Sequence, residues 1–277
     1  MSDDATAFVP GHITGFFSAH PDDDPAIAGS RGAGVTLSHG VTVTVEPAAE
    51  TVVTLGGETL EMEPVSSVLQ RLGVTASVHA ESELPLGSGF GLSGAMSLGT
   101  ALAANTVFSC ERSENELVTV AHESEVEAGT GLGDVVAQAR GGLPIRIDPG
   151  APGHNRMDGI PARPHIEYVT FGGLSTADIL GGDTTTLTAA GETALDALME
   201  RPTVDRFLSE SRQFARDANL LTDRVETAIE DVHAAGGDAA MAMLGETVFA
   251  VGTGLSDAGY EPKRCRVHPA GAMVESE

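Results

Sequence analysis

Between residues 87 and 94 the chain reads Gly-Ser-Gly-Phe-Gly-Leu-Ser-Gly, four glycines in eight positions, set between a β-patterned segment and an Ala/Leu/Met-rich one. A plain strand-to-helix turn needs one or two glycines, so a run this dense implies backbone that approaches something closely. Glycines ahead of a helix let amide N–H groups reach an anion at the positive end of the helix dipole, and that arrangement suits phosphate. A strand must feed this loop and a helix must leave it.

The flanks fit that demand. Upstream, Val35–Leu37, Val41–Val45, Thr51–Leu55 and Val74–His79 are β-rich runs bounded by glycine clusters, with a helical stretch at Val65–Leu72 among them. Downstream, a helix is predicted to about Phe108 and a second over Ser113–Glu127, opened by the N-cap-like Ser113-Glu114-Asn115-Glu116. Gly89-x-Gly91-x-x-Gly94 formally spells a dinucleotide fingerprint, but a second helix follows where that fold needs a strand ending in an acid. GxxxxGK[ST] is absent and the sole lysine, Lys263, lies far from any glycine loop, which excludes a Walker-type site. Residues 141–164 are rich in Gly and Pro and read as connecting loops, with a domain boundary there giving units 1–150 and 151–277. Beyond it, Ile166–Phe171 reads as a strand, Leu195–Met199, Val204–Leu221 and Val225–Ala235 as helices, and Thr247–Val251 as a last β segment.

Charge narrows the function classes. The 40 acidic residues against 15 basic ones leave a net charge of −25, which repels nucleic acid, and no basic stretch offsets it. Only one of the basic residues is a lysine, and the acids are spread along the whole chain, a pattern that fits concentrated salt better than a cationic partner. With 41% hydrophobic residues over 277 positions there is enough apolar material for a real core. Cys110 and Cys265 form no CxxC and no zinc-ligand spacing, the start Met1-Ser2-Asp3-Asp4 is not a signal peptide, and the most apolar window, Ala95–Phe108, is shorter than the ~20 residues of a membrane span. A cytoplasmic protein with reduced thiols is expected.

Several side chains are candidates for chemistry. On the second helix His122 and Glu125 share a face at i, i+3, just ahead of the turn Gly129-Thr130-Gly131-Leu132-Gly133-Asp134. Asp134, between Gly133 and Val135-Val136-Ala137, loses water and therefore needs a partner or a task. Glu123 and Glu127 read as a solvated acidic face. Near the N-terminus Phe8–Phe17 and Gly29–Gly34 look like two glycine turns flanking a short loop, a binding wall rather than core. His12 within it reads as structural, with no catalytic role.

The order of these motifs resembles the GHMP kinase superfamily, whose second motif, Pro-x-x-x-Gly-Leu-Gly-Ser-Ser-Ala, is matched by Pro85 and Gly89–Ala95. Leu92 and Gly94 replace the first serine and an alanine, leaving Ser93 as the single hydroxyl. The third motif, Gly236–Gly245, keeps a glycine-flanked loop but not the Gly-Ala-Gly-Gly form. Within the superfamily, Val9–Phe17, Gly29–Gly34 and Met241–Gly245 are similar to the archaeal pantoate kinases. The resemblance implies an α+β, two-domain GHMP kinase fold, with an N-terminal ribosomal-protein-S5-like β/α domain and a C-terminal ferredoxin-like α/β domain. It implies ATP and Mg2+, with Pro85, Gly87, Ser88, Gly89, Gly91, Leu92, Ser93 and Gly94 around the nucleotide, Ser93 and Glu125 on the metal, and Asp134 facing the acceptor hydroxyl. Glu123 is the reserve metal ligand; about 200° of helix separates it from Glu125, so both cannot point inward. Pantoate is the implied acceptor, held by Ser30, His122 and Arg146, with homoserine or mevalonate as the alternative and a non-catalytic nucleotide-binding protein as a reading from another class. Arg146 itself suits either a bidentate bond to a carboxylate or an ion pair with Asp148. Partners are thus ATP and a small hydroxy acid, with a homodimer allowed and neither nucleic acid nor membrane.

The acidic composition makes one prediction of its own. The thermal midpoint should rise between dilute buffer and molar KCl as counterions screen self-repulsion, and a midpoint that does not move overturns the reading.

Overall fold

The computed structural model describes residues 4–173 and 184–275, so the leading Met1-Ser2-Asp3 lies outside the described residues. Two long antiparallel strands, β1 (Ala5–His20) and β2 (Gly29–Pro47), pair from Ala5↔Val45 to His20↔Gly29. They anchor an eight-stranded sheet ordered β12 (Met273–Val274), β1, β2, β5 (Ala76–Ser82), β3 (Val52–Leu55), β4 (Glu58–Thr59), in which only β3 and β5 run parallel. At the other end of β2, β6 (Leu143–Asp148) takes over as neighbour and pairs in turn with β7 (Arg156–Ile160). Helices α1 (Glu63–Leu72), α2 (Leu92–Val107), α3 (Glu114–Glu127) and α4 (Asp134–Arg140) belong to this layer, with α2 against β1 and β2. A second, four-stranded antiparallel sheet runs β11 (Lys263–Arg266), β8 (His165–Gly173), β10 (Gly245–Val251), β9 (Asp238–Ala242). Helices α5 (Thr185–Glu200), α6 (Val204–Asp217), α7 (Asp223–Ala234) and the short α8 (Gly254–Asp257) accompany it, α6 and α7 packing on β9 and α5 on β1. Among the described residues no helix is long and apolar enough to cross a membrane.

Three stretches differ from the sequence expectation, each because glycine serves close approach as well as turning. Phe8–Phe17 and Gly29–Gly34 are no loop wall but the middle of β1 and the start of β2, with Val9, His12, Ile13 and Phe16 fully buried. Its Gly15 admits α6: a Cβ there would lie 2.3 Å from Ser211 Oγ and 2.5 Å from the Phe207 ring. The register shifts at Pro10/Gly11 and Thr14/Phe16 are bulges that bend the strand, so the same hairpin serves α2 at one end and α5 and α6 at the other. Residues 141–164 contain β6 and β7, with Leu143 and Ile145 buried behind the two positive-φ glycines Gly141 and Gly142. Gly236–Gly245 is mostly β9, whose Ala239–Ala242 are buried, and only its last residues turn into β10.

Helix α3 starts as its sequence predicts: Ser113 accepts from the Glu116 amide while the Glu116 carboxylate accepts from the Ser113 amide. Helix α2 is buried on nearly all sides from Leu92 to Ala104, because α1, α3 and α4 cover what the sheet does not. Small residues permit this; a Cβ on Gly99 would sit 2.6 Å from Val43 Cγ2. Gly99→Val should therefore destabilise the protein by about 1–3 kcal/mol in denaturant unfolding although valine is the better helix former, and an unchanged midpoint would show that the α2–β2 contact gives way freely.

Candidate active site

The glycine run leads directly into α2. Gly87, Gly89 and Gly91 have φ of +72°, +85° and +63°, and Gly91 is the N-cap. No side chain caps the helix and no acid sits in its first turn, so the first-turn amides are left for an exogenous acceptor. Gly89 also needs its missing side chain, since a Cβ would stand 2.8 Å from the Met243 carbonyl. The loop is pinned by the second sheet: Thr247 Oγ1 donates to the Ser88 carbonyl (2.9 Å), and the Phe90 and Tyr168 rings meet edge to face at 4.9 Å. It borders a cavity of about 440 Å³, closed on the other sides by β1, the α3–α4 turn, the end of β6 and the β9–β10 turn.

Of the predicted nucleotide residues, Gly87, Gly89, Gly91, Leu92, Ser93 and Gly94 line this cavity. Pro85 is exposed on the surface beside it, and Ser88 is buried behind it with its hydroxyl toward the Leu86 carbonyl (3.5 Å).

Glu125 lies at the cavity wall with only 2% exposure. Ser93 and Ser97 donate to its Oε1 (2.7 and 2.8 Å) and Thr130 to its Oε2 (2.8 Å). Burial nonetheless pushes the carboxyl pKa up against these three hydroxyls, a bias that a nearby cation relieves. Gly131 leaves open the space between two acids, for a Cβ there would be 3.1 Å from Glu125 Oε2 and 3.9 Å from Asp134 Oδ2. Oxygen donors alone, with one or two carboxylates and no His or Cys, suit a hard divalent cation that keeps phosphate and water ligands. Among the described residues no group of three His, Cys, Asp or Glu side chains forms a self-sufficient metal cage. Glu123 is not an alternative ligand: it and Glu127 turn to Arg71 of α1 (2.5 and 2.7 Å).

Asp134 opens α4, and its Oδ1 accepts a 2.6 Å hydrogen bond from Nδ1–H of His12 on β1. The carboxylate is 29% exposed, its other oxygen toward the Gly131 side of the cavity. Burial alone would raise its pKa, but the His12 hydrogen bond, with the positive charge of Arg146, holds it below the usual carboxylate range. His12 is fully buried, and burial draws its pKa down despite Asp134. Its Nε2 has no partner among the described residues and faces Gly34, where a Cβ would be 2.2 Å away. A proton there would be buried and unsatisfied, so the neutral Nδ1–H tautomer is favoured. The sequence marks His12 only through the partner that Asp134 requires, and 122 residues separate the two.

Arg146, on β6, is 2% exposed and lines the cavity beside Ser30. Gly133 makes room for both, since its Cβ would lie 2.4 Å from Ser30 Oγ and 2.7 Å from Arg146 Nε. The ion pair with Asp148 does not form; Asp148 pairs with Arg156 at the surface (3.1 Å). Arg146 Nε and Nη1 have no hydrogen-bond partner among the described residues. Burial lowers its pKa to about 10, with Asp134 acting in the opposite sense, so it stays cationic at neutral pH. A buried guanidinium with open N–H groups is built to receive an anion, and its planar fork matches a carboxylate. His122 departs from its expected place: it is buried outside the cavity lining and its Nε2–H donates to the Ala28 carbonyl (2.9 Å), fixing the backbone two residues before Ser30.

Residues 62–142 match the GHMP kinases N terminal domain. A pantoate kinase of Methanospirillum hungatei is 35% identical over 256 residues, covering 89% of this chain and 87% of that one. Another from Thermococcus kodakarensis is 35% identical over 262 residues, with 88% and 86% covered. A solved structure described as a phosphotransferase related to the CoA biosynthesis pathway superimposes with a TM-score of 0.87 at 29% identity, covering 98% of both chains. With the glycine loop, the two acids and the free arginine in one cavity, and with relatives this similar along almost the whole length, the chain belongs to the pantoate kinase family of GHMP kinases.

Proposed function

We propose that the protein transfers the γ-phosphoryl group of ATP to the C4 hydroxyl of pantoate, forming 4-phosphopantoate on the route to coenzyme A. The observation that carries the choice of acceptor is Arg146, a buried cation in the cavity lining beside Ser30 whose Nε and Nη1 have no hydrogen-bond partner among the described residues. The acceptor's carboxylate pairs with the Arg146 guanidinium, and Ser30 adds a hydroxyl. The triphosphate rests on the amides of the glycine loop and the α2 N-terminus. Ser93 and Glu125 would hold Mg2+, which when bound neutralises phosphate charge. Asp134 receives the hydroxyl proton on Oδ2 as the C4 oxygen of pantoate bonds to the γ-phosphorus and the bond to ADP breaks. Its Oδ1 stays fixed by His12, a positioning residue that keeps the base in one orientation and ionised. The reading extends to a reducing, salt-rich cytoplasm, supported by two free thiols and the net charge of −25.

A coupled ADP-release assay in concentrated KCl with MgATP should show turnover with pantoate and not with homoserine or mevalonate; turnover with another acceptor only, or none at all, overturns the assignment. Asp134→Asn should reduce kcat by at least ~10³-fold while ATP binding persists, and equal loss of both would point to misfolding instead. Arg146→Ala should raise the pantoate KM far more than the ATP KM. His12→Ala should lower kcat about 10–100-fold and move the acidic limb of the kcat profile to higher pH. The sign follows from the bond: without the His12 donor the charged form of Asp134 is less favoured, its pKa rises, and the base is lost at a higher pH.

A further inference from the structure

Three neighbouring strands bring Phe17, Gly32 and Arg146 into one row, for Phe17 on β1 faces Gly32 on β2 and Gly32 faces Arg146 on β6. Facing Cα atoms in antiparallel strands are roughly 5 Å apart, so the two flanking Cα atoms stand roughly 10 Å apart. That gap accommodates a four-carbon hydroxy acid. Nothing fills it from below, because Gly32, at φ +143°, has no room for a side chain: a Cβ would be 2.2 Å from the Phe16 carbonyl oxygen and 2.8 Å from Phe17 Cα.

Phe17 is held rigidly on its side of the gap. It is 4% exposed, its ring meets Phe214 of α6 at 5.9 Å, and its carbonyl abuts Gly191 of α5, where a Cβ would lie 2.0 Å from the oxygen. It lines the same cavity as Arg146 and Ser30. Met243 and Leu244 are apolar too, but they sit on the β9–β10 turn against Gly89, at the glycine-loop end.

We infer that Phe17 is a specificity-determining residue, its ring forming the apolar wall for the doubly methylated carbon of the acceptor while Arg146, across Gly32, takes the carboxylate. The inference rests on the pantoate reading. Pantoate carries two methyl groups between its carboxyl-bearing carbon and its phosphorylated carbon. A polar wall at that place would lose its hydration for no return, whereas a fixed aromatic face gains from both methyls.

The test compares pantoate with 2,4-dihydroxybutyrate, which has the same carboxylate and hydroxyls and lacks the methyls. Wild-type kcat/KM should favour pantoate by about tenfold or more, since a single methylene in a fitted pocket is worth ~10-fold upward. In Phe17→Ala the preference should collapse to within about threefold, through the pantoate KM and with the ATP KM unmoved. Phe17→Leu, which preserves the packing on Phe214 better, should show an intermediate preference and decides the matter if the alanine variant does not fold. A folded variant that keeps the full wild-type preference overturns the wall. Failure of the wild type to phosphorylate pantoate overturns the parent reading, while wild-type turnover that ignores the methyls overturns the wall alone.

Discussion

The β1–β2 pairing is the constraint on which both the fold and the site depend. Its central strand β1 is buried along most of its length, with α2 against one stretch and α5 and α6 against another. The hairpin is thus the element shared by both layers, and its two bulges reorient it between them. His12, Thr14, Phe17 and Ser30 all stand on it, so their spacing is set by a hydrogen-bonded ladder and not by loops. The second sheet contributes by contact. The Met243 amide donates to the Thr14 carbonyl (2.9 Å) and Thr247 holds the Ser88 carbonyl, which ties the β9–β10 turn to the hairpin and the glycine loop together. Leu244, a non-glycine at φ +67°, sits where those ties converge, and such a backbone persists only where surrounding structure determines it.

The electrostatics of the cavity are those of a site awaiting charges of both signs. Burial raises the Glu125 pKa, whereas His12 and Arg146 hold that of Asp134 below the usual carboxylate range although it too loses water. The difference lies in the partners: hydroxyls around the first, a ring N–H and a cation near the second. Two acids with separated tendencies at one cavity can take separate tasks, one organising a cation and the other accepting a proton. Arg146 supplies the opposite sign near Asp134, its Nε and Nη1 without a hydrogen-bond partner among the described residues. Buried charges without partners cost stability, so ligands that complete them should bind the folded state selectively and stabilise it.

What was legible in the sequence was what is local. The glycine run, the helix after it and the Ser113/Glu116 box are signals within eight residues; Glu125 stands out by its i, i+3 spacing from His122 and Asp134 by its apolar flank, and the roles of both are what the family resemblance implies. What was not legible is long-range or rests on ambiguous glycines. His12 meets Asp134 across 122 residues, and no local pattern marks such a contact. Gly11 and Gly15 mimic turn signals, yet they lie in a strand and admit Leu84 and α6 to within 2.3 Å of where a Cβ would be. His122 has the helical spacing for a site residue, but only the fold shows that its ring reaches the Ala28 carbonyl behind the cavity. For Arg146 the sequence left two partners open, and the β6–β7 pairing decides between them by bringing Arg156 to Asp148.

Two arginines flank the acceptor end of β2, and their contrast argues that the free one is free by construction. Arg31 precedes Gly32 in sequence and projects from the face opposite Ser30's. Its guanidinium is engaged at two nitrogens, with Nε donating to the Ile147 carbonyl (2.7 Å) and Nη1 bonded to Glu192 of α5. Glu192 also accepts from Ser18 (2.6 Å) and contacts His20 Nε2 (2.9 Å), so this cluster clamps α5 to the end of the hairpin. Glu192 thus serves the more exposed arginine directly, while the buried one has the nearby charge of Asp134 but no hydrogen bond at Nε or Nη1 among the described residues. Since burial makes an unsatisfied guanidinium the more costly of the two, an anion that enters the cavity and completes it should stabilise the folded state.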